Sequence, residues 1–273
     1  MHEPGKTYDV RRPWTAVAAG TLIGTLGGLI GLGGAEFRLP ILITVFALFP
    51  HRAVRFNLLV SLITLAFAFT TRLHVNSGAA IAPNMDVLVS MIGGGVLAAW
   101  VGAGMLSRIP PERLMSIIAQ LLLVVAIMLV AEVVFSAGTP FELPHNPVVR
   151  ALAGVLAGLV VGAISSLLGV AGGEFIIPIL VFFFGADIQT AGTLSLLISL
   201  PIVAIGVAKH RLSHHYRSRD VLVHLVLPMS LGSIIGAILG GYLSVYAASG
   251  FLKVFLAAIL AASAVKLWRK GHG

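Results

Sequence analysis

Apolar residues run through this chain in long blocks that polar residues only punctuate. Eight blocks stand out, at 14–49, 56–71, 87–106, 114–135, 148–184, 189–208, 221–245 and 251–268. A helix needs about 20 residues to cross a bilayer core, so six of the blocks read as single spans. The other two, 14–49 and 148–184, are about twice as long, and glycine breaks each near its middle. The first break is Gly31-Leu-Gly33-Gly34-Ala-Glu36-Phe37-Arg38-Leu-Pro40. The second is Gly169-Val-Ala-Gly172-Gly173-Glu174-Phe175-Ile-Ile-Pro178. Bilayer core tolerates non-helical backbone only where protein or a water-filled cavity satisfies it. Each long block therefore predicts a helical hairpin with its tip at the glycines. Arms at 14–30 and 35–49 would reach only about 22–25 Å at ~1.5 Å per residue. That is short of the roughly 30 Å core and predicts a re-entrant or strongly tilted pair.

The two breaks are copies of one another. Glu36 aligns with Glu174 and Pro40 with Pro178 at one common offset, and Ala53-Val-Arg-Phe-Asn57-Leu aligns with Ala191-Gly-Thr193-Leu-Ser195-Leu at the same one. Asp86-Val-Leu-Val matches Asp220-Val-Leu-Val at a slightly different offset, and Gly95 and Ala99 match Gly232 and Gly236. The chain thus divides into a first repeat, 1–140, with its hairpin at 14–49, and a second, 147–273, with its hairpin at 148–184. Each consists of a hairpin and three spans, joined by the polar stretch Gly138 to Pro147. Paired, interrupted segments in matching halves are the sequence pointer to a transporter binding site.

Charge gives the two halves a direction. Arg52 and Arg55 follow the first hairpin, whereas its counterpart is followed by Asp187 and no cation. Arg72 alone stands where the second half has Lys209, Arg211, Arg217 and Arg219; Arg108 and Arg113 face Lys253; Arg150 faces Lys266, Arg269 and Lys270. Under the positive-inside rule, matched loops then lie on opposite sides of the membrane. The predicted fold is an all-α polytopic membrane protein of two inverted-topology repeats, with both termini cytoplasmic. Trp14 and Trp268 fall near the cytoplasmic interface, where aromatic anchors sit. The first 13 residues, with Lys6, Arg11 and Arg12, read as a short tail rather than a signal peptide.

Composition narrows the class further. The chain has 273 residues, is 58% hydrophobic and 10% charged, and has a mean hydropathy of +1.02. This excludes an ordinary soluble domain. The net charge of +8 is spread over short loops and does not point to nucleic acid. With no cysteine, disulfides, thiolate catalysis and thiolate-held metal are ruled out. The stretch Lys209-His210-Arg211-Leu-Ser-His214-His215-Tyr-Arg217 reads as a solvated loop near anionic lipid heads rather than a metal site. No cofactor or metal is expected.

The tips carry the candidate chemistry. In an inverted repeat they approach one another near the midplane, and the second arm of each begins at its tip with free N–H groups and the positive dipole end. Gly33, Gly34, Gly172 and Gly173 allow close approach of an oxyanion. Arg38 adds a fork of donors, and Asn57, Ser61, Thr193, Ser195 and Ser199 offer neutral hydrogen bonds. Glu36 and Glu174 are intramembrane carboxyls and so functional candidates. Either one of them couples protons to anion movement, or Glu174 pairs with Arg38 across the tips. Residues two apart on a helix do not face each other, which disfavours a Glu36–Arg38 pair. Symmetric carboxylates also leave a cation permease, or a carboxylate carrier, as the alternative. Arg55 serves either as an orientation signal or as a cavity residue. Glu132 and Gln120 belong to the tip network or to a subunit contact, so a homo-oligomer stays open. Gly94, Gly95, Gly232, Gly236 and Gly240 read as helix-packing positions. A membrane enzyme lacks its nucleophile, dyad or metal spacing here.

The tip pattern Gly-x-Gly-Gly-Ala/Gly followed by Pro-x-Leu, here Gly31 to Leu42, resembles the signature of the sulfite exporter TauE/SafE family, also called toluene sulfonate uptake permeases, and the second copy, Gly169 to Leu180, resembles it with Ala171 in place of one glycine. The Ala-Val-Arg-Phe-Asn and Ala-Gly-Thr-Leu-Ser stretches resemble the family's second-helix pattern, and the likeness extends over nearly the whole chain. It implies an inner-membrane secondary transporter of sulfite or sulfonate-type anions. Ala35 and Ala171 stand where glycine is common in the family, and both copies carry Glu where an apolar residue is common.

Overall fold

A computed structural model describes residues 13–30, 34–75, 84–134, 143–144, 146–212, 219–243 and 249–272. The first half comprises α1 (Pro13–Ile30), α2 (Ala35–Thr44), α3 (Pro50–Val75), α4 (Met85–Met105), a 3-10 turn at Leu106–Arg108, and α5 (Pro111–Val134). The second comprises α6 (Pro147–Leu168), α7 (Gly173–Phe184), α8 (Ile188–Leu212), α9 (Arg219–Val221), a π-wound segment at Leu222–Val226, α10 (Leu227–Leu243) and α11 (Ser249–His272). There is no strand among the described residues, and six helices are long and apolar enough to cross a membrane.

The glycine-broken blocks do separate into two helices each, but the arms are unequal. At about 1.5 Å per residue, the 22 residues of α6 can span a bilayer core. The 10 of α2 and 12 of α7 make half-helices. The arm expected at 35–49 stops at Thr44 because the chain turns back at once. The Phe46 and Leu48 N–H groups donate to the carbonyls of Ile41 and Leu42 at 3.2 and 3.0 Å, and Ala47 takes a left-handed conformation (φ 51°). The following helix starts at Pro50, ahead of the apolar run at 56. Proline is pre-shaped for a first helical position, and the polar turn holding His51, Arg52 and Arg55 is helical although it is not apolar. His51 Nε2 meets the Ile109 carbonyl at 2.8 Å, fastening the start of α3 to the turn before α5. Most of the stretch from Gly138 to Pro147 lies outside the described residues. Its end is held by a Leu143 N–H bond to the Phe183 carbonyl (2.9 Å) and by Asn146, whose side chain caps α6.

The halves exchange partners. α1 of the first half lies along α10 of the second, and α6 lies along α4; α3 and α8 pack together between these pairs, and α5 packs along α11. Glycine stripes let the first two pairs touch backbone to backbone. Gly20, Gly24 and Gly28 on α1 meet α10, whose Gly232, Gly236 and Gly240 face α1; Gly154, Gly158 and Gly162 on α6 meet α4 around Met91 and Gly95. With little hydrophobic drive between helices in lipid, such close contact supplies the association. The starts of α4 and α6 are joined by an Arg150 Nε–Asp86 Oδ2 ion pair at 3.2 Å, with the same guanidinium 5.3 Å above the Phe184 ring.

The stretch from Asp220 to Gly232 is three residues longer than its counterpart from Asp86 to Gly95, and the π-wound segment falls inside it. A π turn holds more residues than an α turn, so part of the surplus is taken up without a loop. Gln120 is exposed on the outer face of α5, away from the tips. The side chain of Glu132 lies outside the described residues.

Candidate functional site

Both second arms start the same way. Gly34 precedes α2 with φ 68° and Gly172 precedes α7 with φ 83°, and neither helix start has a side-chain cap. A non-glycine residue would pay about 1–2 kcal/mol for that left-handed conformation, and a methyl on Gly172 would also sit 2.7 Å from Val161 Cγ1. Gly172→Ala is therefore expected to lower the thermal midpoint of the purified transporter well below that of Gly173→Ala, whose position has no positive φ. Equal midpoints would mean that the tip relaxes freely.

The first turns that follow are buried. Glu36 and Arg38 are 0% exposed and Glu174 5%. Within α2 the Arg38 N–H closes on the Gly34 carbonyl at 3.2 Å; within α7 the Phe175 and Ile176 N–H groups close on the Gly172 carbonyl at 3.1 and 3.0 Å. The earlier N–H groups of each helix fall outside its own ladder, as at every helix start. Here they do so inside protein and without a cap. One turn further on, Pro40 and Pro178 remove the N–H that would bond the carbonyls of Glu36 and Glu174. Each glutamate position thus presents a carboxyl group and a carbonyl oxygen released from the helix. The Glu-x-x-x-Pro spacing in both copies was the sequence signal for this.

The structure places the Glu36 and Glu174 carboxyls near enough to act on one another electrostatically. Of the two readings offered for Glu174, the cross-tip pair with Arg38 finds no support, since the neighbour acting on Glu174 is Glu36. Glu36 is the acidic neighbour of Glu174, and Arg38 lies near Glu36 on the same helix. Asn57 bonds the carbonyls of both Ala35 and Gly169, so the two helix starts that carry these glutamates lie close together. None of the four carboxyl oxygens has a hydrogen-bond partner among the described residues.

The helices behind the tips hold the neutral candidates. Asn57, on α3, is fully buried, and its Nδ2 donates to the Ala35 carbonyl at 2.8 Å and to the Gly169 carbonyl at 2.7 Å. Its amide N–H groups are therefore committed to backbone, which corrects the expectation that Asn57 offers a donor to an anion; only Oδ1 is left over. Ser61 and Ser199, matched in sequence, are both 1% exposed, and their hydroxyls have no hydrogen-bond partner among the described residues. Ser195 is committed to its own helix through the Gly192 carbonyl (3.0 Å). Thr193 is buried on the same helix. Gly33 lies outside the described residues, as do His214 and His215, while Gly173 forms the first position of α7. Arg55 is half-buried beside His51.

Two contributors were not singled out from the sequence. Ser165 donates to the Val170 carbonyl at 2.7 Å and fixes the second tip from within α6. Gly169 ends α6 in a left-handed conformation (φ 71°), where a methyl would fall 2.9 Å from Val54 Cα on α3. Serine four residues before a Gly-x-x-Gly break is a weak signal on its own, and the Val54 contact spans the two halves.

Neither a curated protein nor a solved structure matches the chain. The family model of sulfite exporter TauE/SafE matches residues 16–267. A polytopic helical chain with this match over nearly its whole length is a membrane transporter and not an enzyme. The chain belongs to the sulfite exporter TauE/SafE family.

Proposed function

We propose that the chain carries a small oxyanion of the sulfite or organosulfonate type through a site between the two tips, coupled to protons on Glu36 and Glu174. The observation that carries this reading is the burial of Glu36 and Glu174, one beside the other, at two uncapped helix starts. The backbone N–H groups and dipole ends there favour negative charge. Arg38 adds a fixed cation, and Ser61 and Ser199 add hydroxyl donors. Two neighbouring carboxylates inside a low-dielectric site would repel each other and the incoming anion. A proton taken up by the pair relieves both repulsions, which ties anion entry to proton entry.

The reading also places two inverted repeats, 1–140 and 147–273, around the site, with both termini on the cytoplasmic side of an inner membrane. The exchange of partners between halves, α1 with α10 and α6 with α4, supports it. So does the loop charge: all of the 18 Lys and Arg except Arg38, Arg72, Arg150 and Lys253 then fall on the cytoplasmic side.

The test is uptake of sulfite and sulfoacetate into proteoliposomes with and without an imposed pH gradient. Wild-type protein is expected to show flux that the gradient stimulates. Glu36→Gln/Glu174→Gln is expected to bind anion and lose the stimulation. Failure of folded wild-type protein to move either anion would overturn the sulfur-oxyanion assignment. Cation flux that the double variant abolishes would establish a cation permease instead.

A further inference from the structure

We infer that Asn57 is a latch that closes the second tip against the first, and that release of this one side chain opens the site. The latch is a cross-half device. Asn57 belongs to α3 of the first half, yet one of its two amide bonds goes to Ala35 of the first tip (2.8 Å) and the other to Gly169 of the second (2.7 Å). The same stretch of α3 touches the second tip again one turn earlier. Gly169 lies so close to Val54 that a methyl there would meet the Val54 Cα at 2.9 Å. Ala35 and Gly169 directly flank the segments that carry Glu36 and Gly172, so fixing their carbonyls fixes the separation of the two tips.

The partners are fully buried. Asn57 is 0% exposed, Ala35 0%, and Val170 and Ala171, which follow Gly169, are 0% and 1%. A carbonyl in that position has no water to turn to, so separating the tips without a substitute acceptor or donor costs the desolvation of each group left unmet. The carbonyls of Ala35 and Gly169 cannot bond each other, since both only accept. A donor with two N–H groups is what bridges them, and Asn supplies it.

The device is one-sided. Ser195 stands at the matched position in the second half and spends its hydroxyl on Gly192 of its own helix. Serine has one donor hydrogen and so could not bridge two carbonyls even if it turned. Asn57 thus ties the tips from the α3 side with a bridge that its match on α8 cannot copy, and the two half-sites are unequal in how they let go. This inference makes Asn57 a positioning residue and does not depend on which anion is carried.

The natural chain contains no cysteine, so a single reporter thiol is unambiguous. Ala171→Cys places it on the second tip, in liposome-reconstituted protein exposed to a water-soluble methanethiosulfonate from either face. With Asn57 intact, modification is expected to be slow. Adding Asn57→Ala is expected to raise the rate about 10- to 100-fold, the range that two net hydrogen bonds control. Asn57→Ser, which copies the matched residue, is expected to behave like Asn57→Ala and covers the case in which the alanine variant does not accumulate. A folded variant with an unchanged labelling rate would overturn the latch, whatever happens to transport. Since labelling needs no substrate, failure of the sulfite assignment would leave this result standing.

Discussion

Leucine at Gly158 is expected to prevent folded transporter from accumulating in the membrane, and leucine at Gly236 should do the same. A methyl carbon on Gly158 would already lie 2.9 Å from the Gly95 nitrogen of α4, and one on Gly236 2.7 Å from the Thr25 nitrogen of α1. The neighbours are backbone, which cannot rotate aside as a side chain would. Overpacking a core costs about 1–3 kcal/mol where side chains can shift, and here the whole helix must move. Separating α6 from α4 or α10 from α1 by even one methyl layer also loses the close contact that holds helices together in lipid. Alanine at either site should give an intermediate loss. The check is the fraction of monodisperse protein recovered in detergent, with leucine at the uncrowded Gly93 as the control. Normal yield of the Gly158 variant would mean that the two helices do not depend on contact at this crossing.

That expectation also marks how far the sequence could be read. The doubled, glycine-broken block was visible as residues, and it led directly to the two left-handed glycines, Gly34 and Gly172, and to the carboxyls behind them. The packing role of Gly94, Gly95, Gly232, Gly236 and Gly240 was readable too, because small residues recur along one helix face. Their partners were not. The glycines at 20, 24 and 28 on α1 share that spacing, but only three-dimensional pairing says that α1 crosses to the second half.

The site divides along the same line. Residue types and burial were legible; directions were not. An asparagine among apolar residues announces hydrogen bonds without saying whether they go to a ligand or to backbone, and Asn57 turned out to hold two carbonyls. Glu174 had a cation and a carboxyl within reach of the same loop, and opposed helix starts chose the carboxyl. The unequal arms escaped because apolarity marks membrane-buried residues, not helical ones. The chain stays apolar through Val45 and Phe46 while its helix has already ended at Thr44.

Replacing Arg38 with methionine is expected to cost anion affinity on the order of 100-fold, the effect of losing one buried charged contact worth about 3 kcal/mol. Arg38 is fully buried in α2, and the matched residue in α7 is Ile176, so the pair of tips has one guanidinium for two carboxyls. The variant should also be less stable. Arg38 acts on Glu36 through space, and removing the cation leaves Glu36 and Glu174 facing each other in a dry interior, a situation that costs about 3–5 kcal/mol when one partner of a buried charge set is deleted. The two losses separate by a second substitution. Arg38→Met/Glu36→Gln removes the stranded charge with the cation, so folded yield and thermal midpoint should return toward wild type while sulfite uptake stays low. If uptake returns together with stability, Arg38 serves only to neutralise Glu36. If the single variant binds sulfite as wild type does, the anion never meets the guanidinium, and the helix starts at Gly34 and Gly172 with Ser61 and Ser199 must hold it alone.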